Sequence, residues 1–222
     1  MSVLLDIRGL SRSFGDRAAV IDATLRLDAS RALCIVGRNG AGKSTLLAMA
    51  AGVLAADRGE VLVDGRNVAR DPTVRRAIGY MTDGPQLYEA LTARENLAFF
   101  GRLYDVADLP RRIDELLTTV GLADRADEAT GGYSAGMRRR LDLARVLVAR
   151  PRLLLLDEPA VSLDEDGRAI LVEAVRQLRQ GGCGVLLTAH SAEAVADLAD
   201  ECLTIEAGRL ASSAATGPGG AA

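Results

Sequence analysis

A chain of 222 residues with 49% hydrophobic side chains is long enough for one compact domain, or for one domain with a sub-lobe. Its formal net charge of −3 gives no broad attraction to nucleic acid, and no apolar run reaches membrane-spanning length. Cys34, Cys183 and Cys202 are odd in number, far apart in sequence and set in apolar surroundings, so they read as buried reduced thiols, not as a disulfide frame or metal site. Met1–Gly9 alternates and carries Asp6 and Arg8, unlike a secretory leader.

From the amino terminus, Val3 to Leu27 reads as short strands, because Ile21, Ala23, Leu25 and Leu27 alternate with Asp22, Thr24 and Arg26. Ala32–Val36 is a buried strand, and Ser44–Ala51 a helix ended by Gly52. Glu60–Val63 followed by Asp64-Gly65 gives a strand and a turn, so a small antiparallel sheet is expected beside the main one. Ile78–Met81 is a further strand. The block from about Glu89 to Arg150 lacks strand signals. Thr92 and Glu95 predict a capping box and a helix through Tyr104; Pro110 opens a second helix that stops at Gly121; Ser134 caps a third that ends before Pro151. Beyond it strand and helix alternate over Arg152–Leu156, Asp166–Gln180, Gly184–Thr188, Ala192–Leu198 and Glu201–Ile205, which predicts a mainly parallel sheet covered on both faces. The stretch 211–222 is of low complexity and is expected to be a disordered tail after a domain spanning 1–210.

The chain has one lysine and one histidine, and both fall at chemically pointed places. Lys43 closes the run Gly37-Arg38-Asn39-Gly40-Ala41-Gly42-Lys43-Ser44, between a predicted strand and a predicted helix. Gly37 and Gly42 let the backbone turn into a nest for anionic oxygen, and the helix adds the positive end of its dipole. An ammonium on a flexible stem reaches terminal phosphates as a point charge, which a planar guanidinium does not imitate. Ser44 offers a hydroxyl to Mg²⁺.

A second element is Leu153-Leu154-Leu155-Leu156-Asp157-Glu158-Pro159. Four leucines make a central strand buried on both faces, and two carboxylates follow its carboxyl end, where ligands of such sheets bind. Asp157 would hold Mg²⁺, mostly through water, and Glu158 would polarise an attacking water. His190 follows the apolar run Val185-Leu186-Leu187. Between the two elements lies Tyr133-Ser134-Ala135-Gly136-Met137, then Arg138-Arg139-Arg140-Leu141; an arginine run of this kind usually reads as a solvated face.

With this order of elements the sequence resembles the ATPase subunits of ABC transporters from about Leu4 to Leu210. The resemblance implies an α/β P-loop NTPase: a RecA-like, mainly parallel core, a small antiparallel β subdomain and an inserted helical subdomain over about 89–150. It implies ATP and Mg²⁺. Gly37, Asn39, Gly40, Ala41, Gly42, Lys43, Ser44 and Thr45 would cradle the phosphates, and Phe14 would stack on adenine. Ser44, Asp157 and Asp83 would serve the metal, while Glu158 and His190 would act on the γ-phosphate.

Tyr133–Met137 matches the family's signature segment, commonly LSGGQ, with Ser134 and Gly136 kept and the other three positions replaced. Those two residues would reach the nucleotide held by an opposite subunit, and Asp164, in Ser162-Leu163-Asp164, would contact that subunit. One position departs from the pattern: Asp83 stands where the family usually carries glutamine.

The resemblance further implies a separate integral membrane permease, docked around Gly84–Arg102, at the cytoplasmic face of the membrane. It also implies a second ATPase subunit, a homodimer being favoured over a heterodimer because Glu158, His190, Ser134 and Gly136 are all present. No nucleic-acid partner is expected. The stretch Leu87–Leu97 with the YSAGM-RRRL pattern looks like the exporter branch. An importer ATPase, a soluble assembly-type ABC ATPase, and a P-loop kinase or switch are the competing readings.

Overall fold

A computed structural model describes residues 2–211 of the chain. Four strands form an antiparallel sheet: β1 (Val3–Phe14), β2 (Arg17–Asp28), β4 (Arg58–Val63) and β5 (Arg66–Asn67), in the order β2-β1-β4-β5. Six form the second sheet: β3 (Ala32–Val36), β6 (Ile78–Met81), β7 (Leu153–Leu156), β8 (Gly184–Ala189), β9 (Glu201–Glu206) and β10 (Arg209–Ala211). Their order is β10-β9-β3-β8-β7-β6, parallel throughout except for the β9–β10 hairpin. The helices are α1 (Lys43–Ala50), α2 (Ala93–Leu103), α3 (Leu109–Thr119), α4 (Ala135–Leu147) and α5 (Glu165–Gln180). The antiparallel subdomain, the mainly parallel core and the strand-free helical block therefore all form.

The apolar runs explain the layering. In β7, Leu153 and Leu155 join the core shared with β1, β2, β4 and α1, while Leu154 and Leu156 join the core shared with α2 to α5. All four are fully buried, because a strand's side chains alternate and helices or a second sheet cover both faces. Burying a leucine contributes roughly 1.5–3 kcal/mol, so this short strand anchors both cores. β3 alternates in the same way, with Cys34 facing one core and Leu33 and Ile35 the other.

Local signals set the helix ends. Thr92 and Glu95 form the reciprocal capping box at the start of α2, with Glu95 N donating to Thr92 Oγ1 at 3.1 Å and Thr92 N donating to Glu95 Oε2 at 2.9 Å. Ser134 Oγ accepts from Met137 N at the start of α4.

Three expectations change. Ala192–Leu198 is no helix: only a 3-10 turn over Glu193–Val195 forms, closed by Val195 N donating to Ala192 O at 3.2 Å. Past it the bonding is mixed, with Leu198 N and Ala199 N both donating to the Val195 carbonyl, so no regular α-helical ladder forms before Asp200, whose carboxylate accepts from Ala32 N at 2.8 Å. Ala211 is the last residue of β10, paired with Thr204, and not the start of a tail; the low-complexity stretch over 212–222 lies outside the described residues. Cys34 and Cys202, remote in sequence, are register partners on β3 and β9. Cys34 and Cys183 are buried as expected but Cys202 only partly; no disulfide joins any of them, and burial raises the pKa of each. No described helix is long and apolar enough to cross a membrane.

Candidate functional site

The phosphate-type loop joins β3 to α1 beside the carboxyl ends of the parallel strands. The turn is made at Gly40 and Gly42, with φ of 76° and 111°, whereas Gly37 needs its missing side chain because the Ile205 carbonyl crowds it. Gly42 occupies the N-cap of α1, where no side chain caps the helix and no acidic residue lies in the first turn. The amides of that turn are thus left to an external acceptor, at the positive end of the helix dipole.

Lys43 is only 4% exposed. Its Nζ donates to the Gly37 carbonyl at 2.7 Å and lies 3.3 Å from Glu158 Oε1. The other oxygen of Glu158 sits 2.8 Å from His190 Nε2. The lone lysine and the lone histidine therefore hold one carboxylate between them. Phe14, Arg17, Asn39, Gly40, Gly42, Lys43, Ser44, Thr45, Asp83, Glu158 and His190 line a single cleft of about 520 Å³. Phe14, at the end of β1, is half exposed there, with the Arg12 guanidinium 5.1 Å from its ring centroid.

Other expected site residues lie off this cleft. Asp157 is 2% exposed and Thr188 Oγ1 donates to its Oδ1 at 2.6 Å, while Glu158 N donates to the same hydroxyl at 3.0 Å. Ser134 and Gly136 begin α4, where a Cβ on Gly136 would stand 3.3 Å from the Ser162 carbonyl. Asp164 is the N-cap of α5, its Oδ1 accepting from Gly167 N at 2.8 Å. Gly37 and Ala41 support the loop from beneath: Ala41 is buried, and Gly208 N donates to its carbonyl.

Glu158 has a backbone φ of 47°, a strained value for a residue with a side chain, and strain of this sort clusters at functional sites. Among the described residues no three His, Cys, Asp or Glu side chains gather as a metal cluster. The donors near the loop are a serine hydroxyl and a buried carboxylate with one oxygen uncommitted to Thr188. That sparse oxygen set fits Mg²⁺, which keeps waters and takes phosphate oxygens for the rest of its shell.

The sequence reading missed Arg17 on the cleft wall and, among the buried polar groups, Thr188, Arg139 and Asp142 around the site. Arg139 lies in the run read as solvated, and it donates to carbonyls of the loops after β6 and β7. Burial lowers its pKa, and the carboxylates of Asp142, Asp83, Asp157 and Glu158 oppose that shift. Tyr80 on β6 has its phenol pushed up to about 12 by burial and by the Asp157 charge. An aspartate or arginine inside an otherwise amphipathic helix gives no outward sign of what it faces, and a threonine inside Gly184–Ala189 is indistinguishable from a β-branched filler.

Comparison with known proteins follows the same lines. The sequence family described as ABC transporter matches residues 20–161. Daunorubicin resistance ATP-binding protein DrrA3 of Streptomyces coeruleorubidus is 39% identical over 93% of this chain and 66% of its own length. Nod factor export ATP-binding protein I of Rhizobium sp. (strain N33) is 36% identical over 93% of this chain and 69% of its own. Fe(3+) ions import ATP-binding protein FbpC of Streptomyces coelicolor is 38% identical over 95% of this chain and 61% of its own. The chain thus spans about two thirds of the length of these curated relatives. A solved structure described as the ATP binding subunit of an ABC transporter aligns with a TM-score of 0.87 at 28% identity, covering 93% of this chain and 88% of that one. A family match across more than half of the sequence, joined to that closeness of fold, makes this chain a member of the ABC transporter family.

Proposed function

We propose that this chain binds and hydrolyses ATP to energise a membrane transporter, most simply an exporter, by closing and opening against a second ATPase subunit. The observation that carries the reading is the contact chain Lys43–Glu158–His190 across one cleft lined by the phosphate loop. Lys43 neutralises the terminal phosphates, and a γ-phosphate drawing on its ammonium frees Glu158 to polarise the attacking water. His190 steadies the phosphate from the far side. Phe14 presents its exposed face to adenine, a stack that contributes roughly 1–3 kcal/mol. Ser44 and Asp157 would hold Mg²⁺, which neutralises charge building on the phosphates when bound. Asp83, at the cleft wall, takes the place of the family's usual glutamine.

Ser134 and Gly136 are outside the cleft of their own chain. This favours a composite site in which the α4 amino terminus of one copy closes on the nucleotide of another, with Asp164 at the seam. Splitting the γ-phosphate removes the bridge and loosens the pair. The membrane partner would dock on the helical block at the cytoplasmic face. There Tyr88 and Phe99 are exposed, their rings 5.0 Å apart, beside a groove of about 780 Å³ that also holds Phe100, Tyr104 and Arg145. Leu97, by contrast, is fully buried and serves the core. The names of the resistance and export relatives favour outward transport, and that of FbpC is the ground for the importer reading.

The test is a pull-down of the tagged chain from detergent-solubilised membranes, followed by Mg–ATP turnover of what is captured. An integral membrane protein is expected to co-purify, and the complex to hydrolyse ATP. Failure of the complex to bind or split Mg–ATP sinks the reading. Turnover by a chain that captures no membrane protein would replace the transporter subunit by a soluble assembly-type ATPase.

A further inference from the structure

Arg139 is a charged side chain only 3% exposed, and among the described residues it forms no salt bridge. Its guanidinium is spent on backbone carbonyls instead. Nη1 donates to the carbonyls of Thr82 at 2.6 Å and Asp83 at 2.8 Å. Nη2 donates to the carbonyls of Asp157 at 2.7 Å and Glu158 at 2.8 Å. Each edge of the planar fork therefore grips one loop, and the two loops leave the carboxyl ends of the neighbouring parallel strands β6 and β7. A buried charge needs this much hydrogen bonding to be tolerated, and the rigid fork suits two divergent pairs of acceptors as an ammonium does not.

β6 and the loop after it have other ties to α4: Arg145 Nη2 donates to the Tyr80 carbonyl of the strand at 3.2 Å, and Gln86 N of the loop donates to Asp142 Oδ1 at 3.1 Å. Among the described residues, Arg139 supplies every side-chain hydrogen bond from α4 to residues 157–163. Glu158 itself is pinned at both ends of its strained unit, its N–H by Thr188 and its carbonyl by Arg139. A left-handed conformation at a residue with a side chain persists only when the surroundings over-determine it.

We propose that Arg139 is a positioning residue for hydrolysis: from α4 it fixes the backbone that aims the Glu158 carboxylate and, through the same guanidinium, the loop that carries Asp83. It thereby ties the helix whose first turn presents Ser134 to the carboxylate that activates water. This inference rests on the function proposed above.

The test compares the wild-type complex with Arg139→Gln and Arg139→Lys. Arg139→Gln is expected to lower kcat for ATP by tenfold or more while KM for ATP stays within about twofold. Amide hydrogen exchange over 82–86 and 158–163 should accelerate in both variants, and Arg139→Lys, which keeps the charge but not the fork, should fall between Gln and wild type in kcat. A residue of purely structural use would instead lower the melting temperature and leave kcat per folded molecule unchanged; that outcome overturns the proposal. Should Arg139→Gln not fold, Arg139→Lys decides, and wild-type kcat with wild-type exchange in that variant also overturns it. An inactive wild-type complex would remove the proposed function and this inference together, whereas an active wild type with indifferent Arg139 variants removes this inference alone.

Discussion

Replacing Glu158 by Gln is expected to slow ATP hydrolysis by roughly 10²- to 10³-fold, within the range typical of a lost general base, and to leave a nucleotide-bound dimer stable enough to isolate. The amide keeps the size and one acceptor oxygen of the carboxylate, so the cleft retains its shape. What it loses is the negative charge that Lys43 Nζ meets at 3.3 Å and that His190 Nε2 meets at 2.8 Å. Without that charge the lysine no longer has an internal anion competing with the γ-phosphate, so ATP affinity should rise, not fall. Two readouts decide the matter: turnover at saturating Mg–ATP, and elution volume on sizing with and without ATP. Turnover at the wild-type rate would remove Glu158 from its assigned role. Lost turnover with no ATP-dependent shift in size would instead count against the composite site formed by two subunits.

Gly42→Ala should be the more damaging change to the loop itself. At φ of 111° and ψ of 2° a Cβ is strained, and here it would also strike the backbone carbonyl of Ala19, which has no freedom to retreat. Strain of this kind costs about 1–3 kcal/mol and overpacking about 1–3 kcal/mol more, against a total stability of about 5–15 kcal/mol for a domain. The variant should therefore fold with a lowered melting temperature and bind nucleotide at least 100-fold more weakly, since the loop must open to make room. Gly40→Ala is the matched control. Its φ of 76° is also unfavourable, but the nearest atom is the mobile end of Arg17 at 3.2 Å, so it should lose less of both. Equal behaviour of the two variants in a thermal melt and a nucleotide titration would contradict this account of the loop.

What the linear sequence carries clearly is periodicity and punctuation. Ala32–Val36 and Leu153–Leu156 are apolar without interruption, and both prove to be interior strands buried on two faces. Thr92 with Glu95, and Ser134 alone, start their helices through bonds that need no tertiary partner. The phosphate loop is legible for the same reason, because its glycines, its lysine and its serine act within eight residues of one another. Groups whose meaning depends on strand order are not legible. Arg139 looks like one of three solvated arginines until α4 is laid against the ends of β6 and β7. Thr188 looks like any β-branched residue until β8 is set beside β7, and only then does its hydroxyl meet Asp157. Cys34 and Cys202 become neighbours through the pairing of β3 with β9, a crossover that no local pattern announces. Ala192–Leu198 errs in the opposite direction: its composition suits a helix, but only a 3-10 turn forms and the bonds that follow it share one carbonyl, that of Val195.

The burial of the lone lysine has a practical corollary. With 27 basic residues and only one of them lysine, every cation elsewhere on the chain is an arginine, and an endoprotease that cuts strictly after lysine has one target bond, Lys43–Ser44. That bond lies at the first residue of α1, behind a side chain 4% exposed and clasped to a carboxylate. Cleavage into two fragments therefore requires this one loop to come apart, which turns an ordinary digestion into a gauge of how often it does.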